Sequence, residues 1–311
     1  MSLSIILQQM GVICILVSIG ILLQKKNVVD ALTSKKLSAI VVDVCNPAMI
    51  MASILGGEIT ATHQDLIYAA ILGAAFYTLL ILIGLIMPHI LRVAPDKRKF
   101  YNLMSVYTNT GFLGIPVAKA ILPANAIIYV IVINVFYSLL FYTHGLTVLG
   151  KGPDNKDSKD SILKIFNPGT IMAILSLVVF WFNLSLPPIL GNTIQYIGNA
   201  TVFLSMVLLG VSISRSKLGA SLKDVRIWVF ILLRMILVPI AIVLVLHSIS
   251  FDKTATLAMC LMAAVPVGNL PMIQAEKQGM DSTILSSAIA VTTAISILTI
   301  TVLIALSTAL L

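Results

Sequence analysis

Charged residues are scarce in this chain: 10% of 311 residues, against 59% that are hydrophobic. A soluble domain has roughly a quarter of its residues charged. A soluble enzyme and a nucleic-acid-binding domain are therefore excluded. Acidic residues are the fewest, 12 against 20 basic ones. They are scattered, and no group of them forms a constellation for acid–base or metal-diphosphate chemistry, so an intramembrane enzyme is not expected. The three cysteines, Cys14, Cys45 and Cys260, lie in apolar segments. They read as small packed hydrophobes, not as a disulfide set or a zinc site. Nothing resembles a P-loop, so ATP-driven transport by this chain alone is not expected. No loop or tail is long enough for a soluble sensor domain. No metal and no cofactor is expected.

What the chain has instead is long apolar runs. Ten membrane spans are expected: Leu3–Leu23, Leu37–Leu55, Leu66–Ile90, Tyr101–Leu122, Ala126–Leu149, Pro168–Leu186, Leu190–Ile213, Val225–Ile249, Thr254–Ala275 and Ile284–Leu311. Each is about 20 residues or more, enough to cross roughly 30 Å of hydrocarbon. The first lacks a basic n-region and a small-residue cleavage site, so it reads as a retained span. The fold class is all-α and polytopic.

The net charge of +8 has a membrane pattern. Lys25, Lys26, Lys35 and Lys36 fill the first loop, and Arg92, Lys97, Arg98 and Lys99 the third. The fifth holds Lys151, Lys156, Lys159 and Lys164, and the seventh Arg215, Lys217, Lys223 and Arg226. Even loops hold almost nothing basic, Lys253 excepted. Odd loops are therefore cytoplasmic and both termini extracytoplasmic. Five spans per half invert the second half relative to the first. The halves, 1–150 and 168–311, are joined by a polar cytoplasmic hinge at 151–167.

Two spans, the fourth in each half, are broken at their centres by glycine and proline. One reads Tyr107-Thr108-Asn109-Thr110-Gly111-Phe112-Leu113-Gly114-Ile115-Pro116, and the other Ala264-Val265-Pro266-Val267-Gly268-Asn269-Leu270-Pro271. Matched breaks of this kind point to a transporter's binding site, because freed backbone groups at that depth need protein, water or ligand. Half-helix N-termini at the breaks suit an anion. Asn109, Thr110 and Asn269 add neutral hydrogen-bonding groups there. Proline kinks relieved by neighbouring helices are the alternative for a single break; two matched breaks favour a site. Asn134, Tyr137 and Ser138 share one face of span five, and Thr292, Thr293, Ser296 and Thr299 a similar face of span ten. Asn134 either lines the site or packs; the Ser/Thr set packs. Asn46-Pro47 interrupts span two.

These residues carry a resemblance. Asn109-Thr110 followed by Gly114-Ile115-Pro116 is similar to the fourth span of the auxin efflux carrier family. Pro266-x-Gly268-x-x-Pro271, then Ala275, Asp281 and Leu285-Ser286, resembles its ninth span and the start of its tenth. The likeness runs along the whole chain. It implies the crossed-helix fold of bile-acid symporters and sodium/proton antiporters. Spans 1, 2, 6 and 7 would form a scaffold, and spans 3–5 and 8–10 a transport domain moving as an elevator. It also implies a small organic anion such as malate or malonate as substrate, a plasma-membrane location and a homodimer formed through the scaffold. Asn109 would contact the carboxylate, and Pro116, Pro266 and Pro271 would be the crossing prolines. Plant members usually have Pro before that Asn, where this chain has Thr108, and the long plant exporters carry a large cytoplasmic loop, where this chain has only its hinge. Both departures favour a microbial organic-anion carrier over an exporter of aromatic, auxin-like acids.

Charges within the spans are functional candidates by default. Asp43 in span two and Arg234 in span eight lie at similar depth, about 10–12 Å in. Two readings stand: a latch between scaffold and transport domain, or a snorkelling arginine and a vestibule aspartate. Glu276 either carries a proton, which would give proton coupling, or sits at the interface beside Lys277. Lys119 attracts anions or snorkels. His144 and His247 read as interfacial. No carboxylate lies within either break, which disfavours a sodium-coupled symporter, since sodium prefers hard oxygen ligands. A channel is the nearest rival by composition.

Overall fold

A computed structural model describes residues 3–55, 61–150, 166–215 and 224–311. Most of the hinge, Lys217, Lys223 and the Glu276 side chain lie outside the described residues. Helices dominate: α1 (Leu3–Lys25), α2 (Ala31–Leu55), α3 (His63–Ile90), α4a (Arg98–Val106), α4b (Thr110–Ile121), α5 (Ala126–Leu149), α6 (Pro168–Trp181), α7 (Pro188–Arg215), α8 (Val225–Ser248), α9a (Lys253–Ala264), α9b (Leu270–Lys277) and α10 (Thr283–Leu310). Among the described residues, 7 helices are long and apolar enough to cross a membrane unbroken. The fourth and ninth are interrupted where glycine and proline stand.

The boundaries have local causes. α2 begins before Leu37 because the Asp30 side chain accepts a hydrogen bond from Thr33 N at 2.7 Å. α3 begins before Leu66 because Thr62 and Asp65 form a reciprocal capping box. α6 stops at Trp181, short of Leu186. Asn183 there takes the left-handed conformation, φ 49°, and Leu184 N donates back to Val179 O at 3.0 Å, which closes the helix end. Among the described residues, four π-helical turns lie inside the apolar helices, at Val41–Cys45, Thr110–Gly114, Phe141–Gly145 and Ile231–Leu237. Such turns are rare and gather at functional places.

α7 packs against α1 and α2, and α2 against α6. The α1–α7 seam is backbone on backbone: a Cβ on Gly210 would fall 2.0 Å from Val17 O, and one on Gly20 2.0 Å from Val207 O. On the other side, α3 packs on α4a and α5, α8 on α9a, and α9a on α5 and α10. The pairs α1–α7 and α6–α2 are counterparts in a five-plus-five inverted repeat, as are α3–α4a and α8–α9a. The packing is consistent with that architecture. Large apolar side chains such as Leu22, Leu85, Val245 and Leu298 face outward. An apolar exterior over a packed interior is what a bilayer solvent selects.

Candidate functional site

α4a ends at Val106 and α9a at Ala264. The chain then runs extended for a few residues in each case, and the two runs cross antiparallel. Thr108 and Val267 form an isolated β-bridge. Asn109 N donates to Pro266 O at 2.8 Å, and Gly268 N donates to Tyr107 O at 3.0 Å. Backbone groups freed by each break are thus answered by the other break. Gly268 permits this approach: a Cβ there would sit 2.9 Å from Thr108 O and 3.0 Å from Tyr107 O. Val267 N reaches Thr292 Oγ1 on α10 at 3.3 Å.

α4b and α9b begin at this crossing, so both present N-terminal ends to it. Around the first gather four polar residues. Thr110 Oγ1 donates to Asn134 Oδ1 at 3.1 Å, and Asn46 Nδ2 of α2 donates to Gly111 O at 2.7 Å. The bare Cα of Gly111 lies between them; a Cβ would be 3.5 Å from Asn134 Oδ1 and 3.9 Å from Asn46 Nδ2. The buried Asn109 and half-buried Asn269 side chains make no hydrogen bond among the described residues. Asn46 Oδ1 and Thr108 Oγ1 are buried with no partner. Pro271, buried in the first turn of α9b, breaks no ladder bond by its missing N–H; Pro116, also buried, follows the π turn inside α4b, where its missing N–H leaves a carbonyl of that turn without a helical partner. No group of three or more His, Cys, Asp or Glu that could hold a metal ion occurs among the described residues. The crossing is lined by amides, hydroxyls and helix ends. Above it, between α2, α4b, α5 and α7, opens a cavity of about 470 Å³ lined by Ser53, Lys119, Ile127 and Gln195, among others.

Two broken helices pinned to each other inside an apolar bundle are an arrangement that transporter folds use for a binding site. The comparison with known sequences agrees. Residues 5–161 and 155–304 match a family described as membrane transport protein. The chain belongs to that family. Two uncharacterized transporters are similar along nearly the whole length. The one from Methanocaldococcus jannaschii is 26% identical over 300 residues, 93% of this chain and 94% of the relative. The one from Methanothermobacter thermautotrophicus is 25% identical over 297 residues, 93% of this chain and 94% of the relative. The family makes the chain a membrane transporter and not an intramembrane enzyme.

Not every residue marked from the transporter's sequence meets at the crossing. Asp43 is exposed on α2. Arg234 is among the most buried side chains, 1% exposed, and turns inward. Its Nε donates to Ser105 O at 2.6 Å and its Nη1 to Ala263 O at 2.7 Å. The Asp43–Arg234 pair is not formed in this conformation, and Arg234 does not snorkel. Glu276 belongs to α9b, with its side chain outside the described residues. Ser296 and Thr299 bond carbonyls of their own helix, as packing groups do.

Three participants had no place in the sequence-based set. Asn46 brings α2 into the site, and its signal was the Asn46-Pro47 interruption. Tyr107 stands in the sequence only as the first residue of the break, and His144 only as an interfacial residue. The Tyr107 hydroxyl donates to Leu140 O at 2.9 Å and lies 2.9 Å from His144 Nδ1. His144 is thus half-buried inside a π turn and tied to a residue of the crossing, not loose at the interface.

Proposed function

We propose that the transporter is a secondary carrier of a small organic anion, bound by a carboxylate at the crossing of α4 and α9. One observation carries this reading: two helix N-termini and free amide side chains meet there, with no carboxylate beside them among the described residues. Positive helix ends favour anions, and amide N–H groups complete a carboxylate's hydrogen bonds. Asn109, Thr110, Gly111, Asn134, Gly268 and Asn269 form the binding set, with Pro116, Pro266 and Pro271 shaping the backbone. Asn46 joins them from α2. Malate, malonate and lactate are the first compounds to test. The resemblance to the auxin efflux carrier family supports this substrate class, and the short hinge supports a microbial acid over an aromatic one.

The two breaks are hydrogen-bonded to each other, so they move together. An elevator motion of α3–α5 with α8–α10 against α1, α2, α6 and α7 satisfies that constraint. Its energy source is proton coupling, exchange or the membrane potential. The carrier sits in the plasma membrane with both termini outside, as a homodimer through the fixed helices.

Proteoliposomes of the purified protein, loaded with one acid and given another labelled, test the proposal. Saturable uptake stimulated by internal acid is expected, and Asn109→Ala should reduce it to background. Uptake that survives Asn109→Ala would move the site. No flux of any acid under any gradient would sink the anion reading.

A further inference from the structure

The crossing gathers four helix ends: the N-termini of α4b and α9b, and the C-termini of α4a and α9a. Each end carries about half an elementary charge, positive at N-termini and negative at C-termini. By themselves the four sum to nothing, so the two negative ends offset much of the pull that the two positive ones exert on an anion. The Arg234 guanidinium changes the sum. It donates to Ser105 O in the last turn of α4a and to Ala263 O in the last turn of α9a, so one side chain caps both negative ends. It has no carboxylate partner among the described residues, and its third nitrogen, Nη2, is buried with no hydrogen bond. A buried cation without a counter-ion is costly, and here its hydrogen bonds among the described residues go to carbonyls alone. Arg234 stands inside the π turn Ile231–Leu237, on its buried side.

We propose that Arg234 is the positioning residue that makes this crossing an anion site. It cancels the two C-terminal ends, so the two N-terminal ends are left unopposed, with about one positive charge between them. The site then balances one negative charge, and a monocarboxylate is held better than a dianion of similar size. Arg234 does this without touching the substrate. By holding both ends it also keeps the half-helices at fixed spacing. This inference rests on the carrier reading and names its charge preference.

The test uses the full chain in lipid nanodiscs, wild type beside Arg234→Lys, which keeps the charge, and Arg234→Gln, which keeps a donor without charge. Binding of lactate and of malonate is measured by calorimetry. Hydrogen exchange is followed at residues 103–111 and 261–270. Wild type should bind lactate more tightly than malonate. Arg234→Gln should bind lactate roughly tenfold more weakly, in line with the loss of one charge near two helix ends. Arg234→Lys should stay close to wild type. Exchange should quicken at both segments together in Arg234→Gln. Wild-type lactate affinity in Arg234→Gln overturns the proposal, as does quickened exchange in one segment only. So does a Lys variant as weak as the Gln one, because fork geometry and not charge would then decide. If the wild type binds no acid, the carrier reading fails together with the charge preference. The exchange comparison still decides whether Arg234 holds both ends.

Discussion

Asn46 and Asn134 approach the same glycine from opposite sides, and their bonds differ in kind. Asn46 bonds a backbone carbonyl, Gly111 O, from a helix of the other packing group. Asn134 bonds a side chain, the Thr110 hydroxyl, from α5. Asn134→Ala should therefore weaken substrate binding, seen as a raised KM for uptake, because Thr110 loses its anchor. Asn46→Ala should act on turnover more than on KM, since its bond crosses between the groups proposed to slide. Uptake kinetics of the two variants distinguish these outcomes. How legible such residues were depends on what they bond. Gly111, Pro116, Pro266 and Gly268 could be read directly, because an apolar helix tolerates that chemistry only where it breaks. Arg234 could be placed at its depth but not given its partners. Backbone carbonyls exist at every residue, so Ser105 O and Ala263 O have no sequence signature. His144 was missed for a similar reason. Its partner, Tyr107, is an ordinary residue until the fold brings it near.

At the scale of elements, the helix boundaries follow small polar caps at the ends of apolar runs. Hydropathy registers the run and not the cap, which is why α2 and α3 start earlier than the apolar residues do. Asp30 illustrates the energetics. Hydrogen bonds from the Thr33 backbone, then its hydroxyl, hold the Asp30 carboxyl below its ordinary value of 3.8. A carboxyl whose folded value is depressed adds stability above its unfolded value and loses it as pH falls through the folded one. The first turn of α2 should thus fray as pH drops below about 3.8. Hydrogen exchange at residues 31–36, corrected for intrinsic rate, is the check; Asp30→Ala should show the faster exchange at neutral pH already. The broken helices behave differently. Their ends are held by tertiary partners, so no local signal beyond Gly and Pro marked where α4a and α9a stop.

For the whole molecule, two packed groups meet across α2 and α7 on one side and α4b and α5 on the other. The cavity of about 470 Å³ lies on that boundary, with Ser53 and Gln195 on one wall and Lys119 and Ile127 on the other. A bulky side chain there would act as a wedge. Ser53→Trp should abolish uptake while leaving the melting temperature and substrate binding near wild type; uptake that continues at the wild-type rate would argue against relative motion of the two walls. The apolar runs and the matched breaks were visible from composition and periodicity. The packing partners were not, because long helices such as α1, α3 and α7 are apolar all round and show no face that names a partner. Glycine decided some of it: Gly20 and Gly210 let α1 and α7 touch backbone to backbone, closer than other residues allow.

The π turns have a consequence for how this chain can change over generations. A turn closed i to i+5 holds one residue more than an α turn. Helices in a bilayer ordinarily forbid insertions and deletions, since one residue rotates everything beyond it by about 100°. A π turn is a place where that rotation is already absorbed. Loss of a single residue within 231–237 would let the helix revert to regular winding and survive, while turning Arg234 or its neighbours to a new face. Relatives of this transporter can therefore differ by single-residue gaps inside their membrane helices, and such gaps mark where one lineage re-aimed a buried side chain.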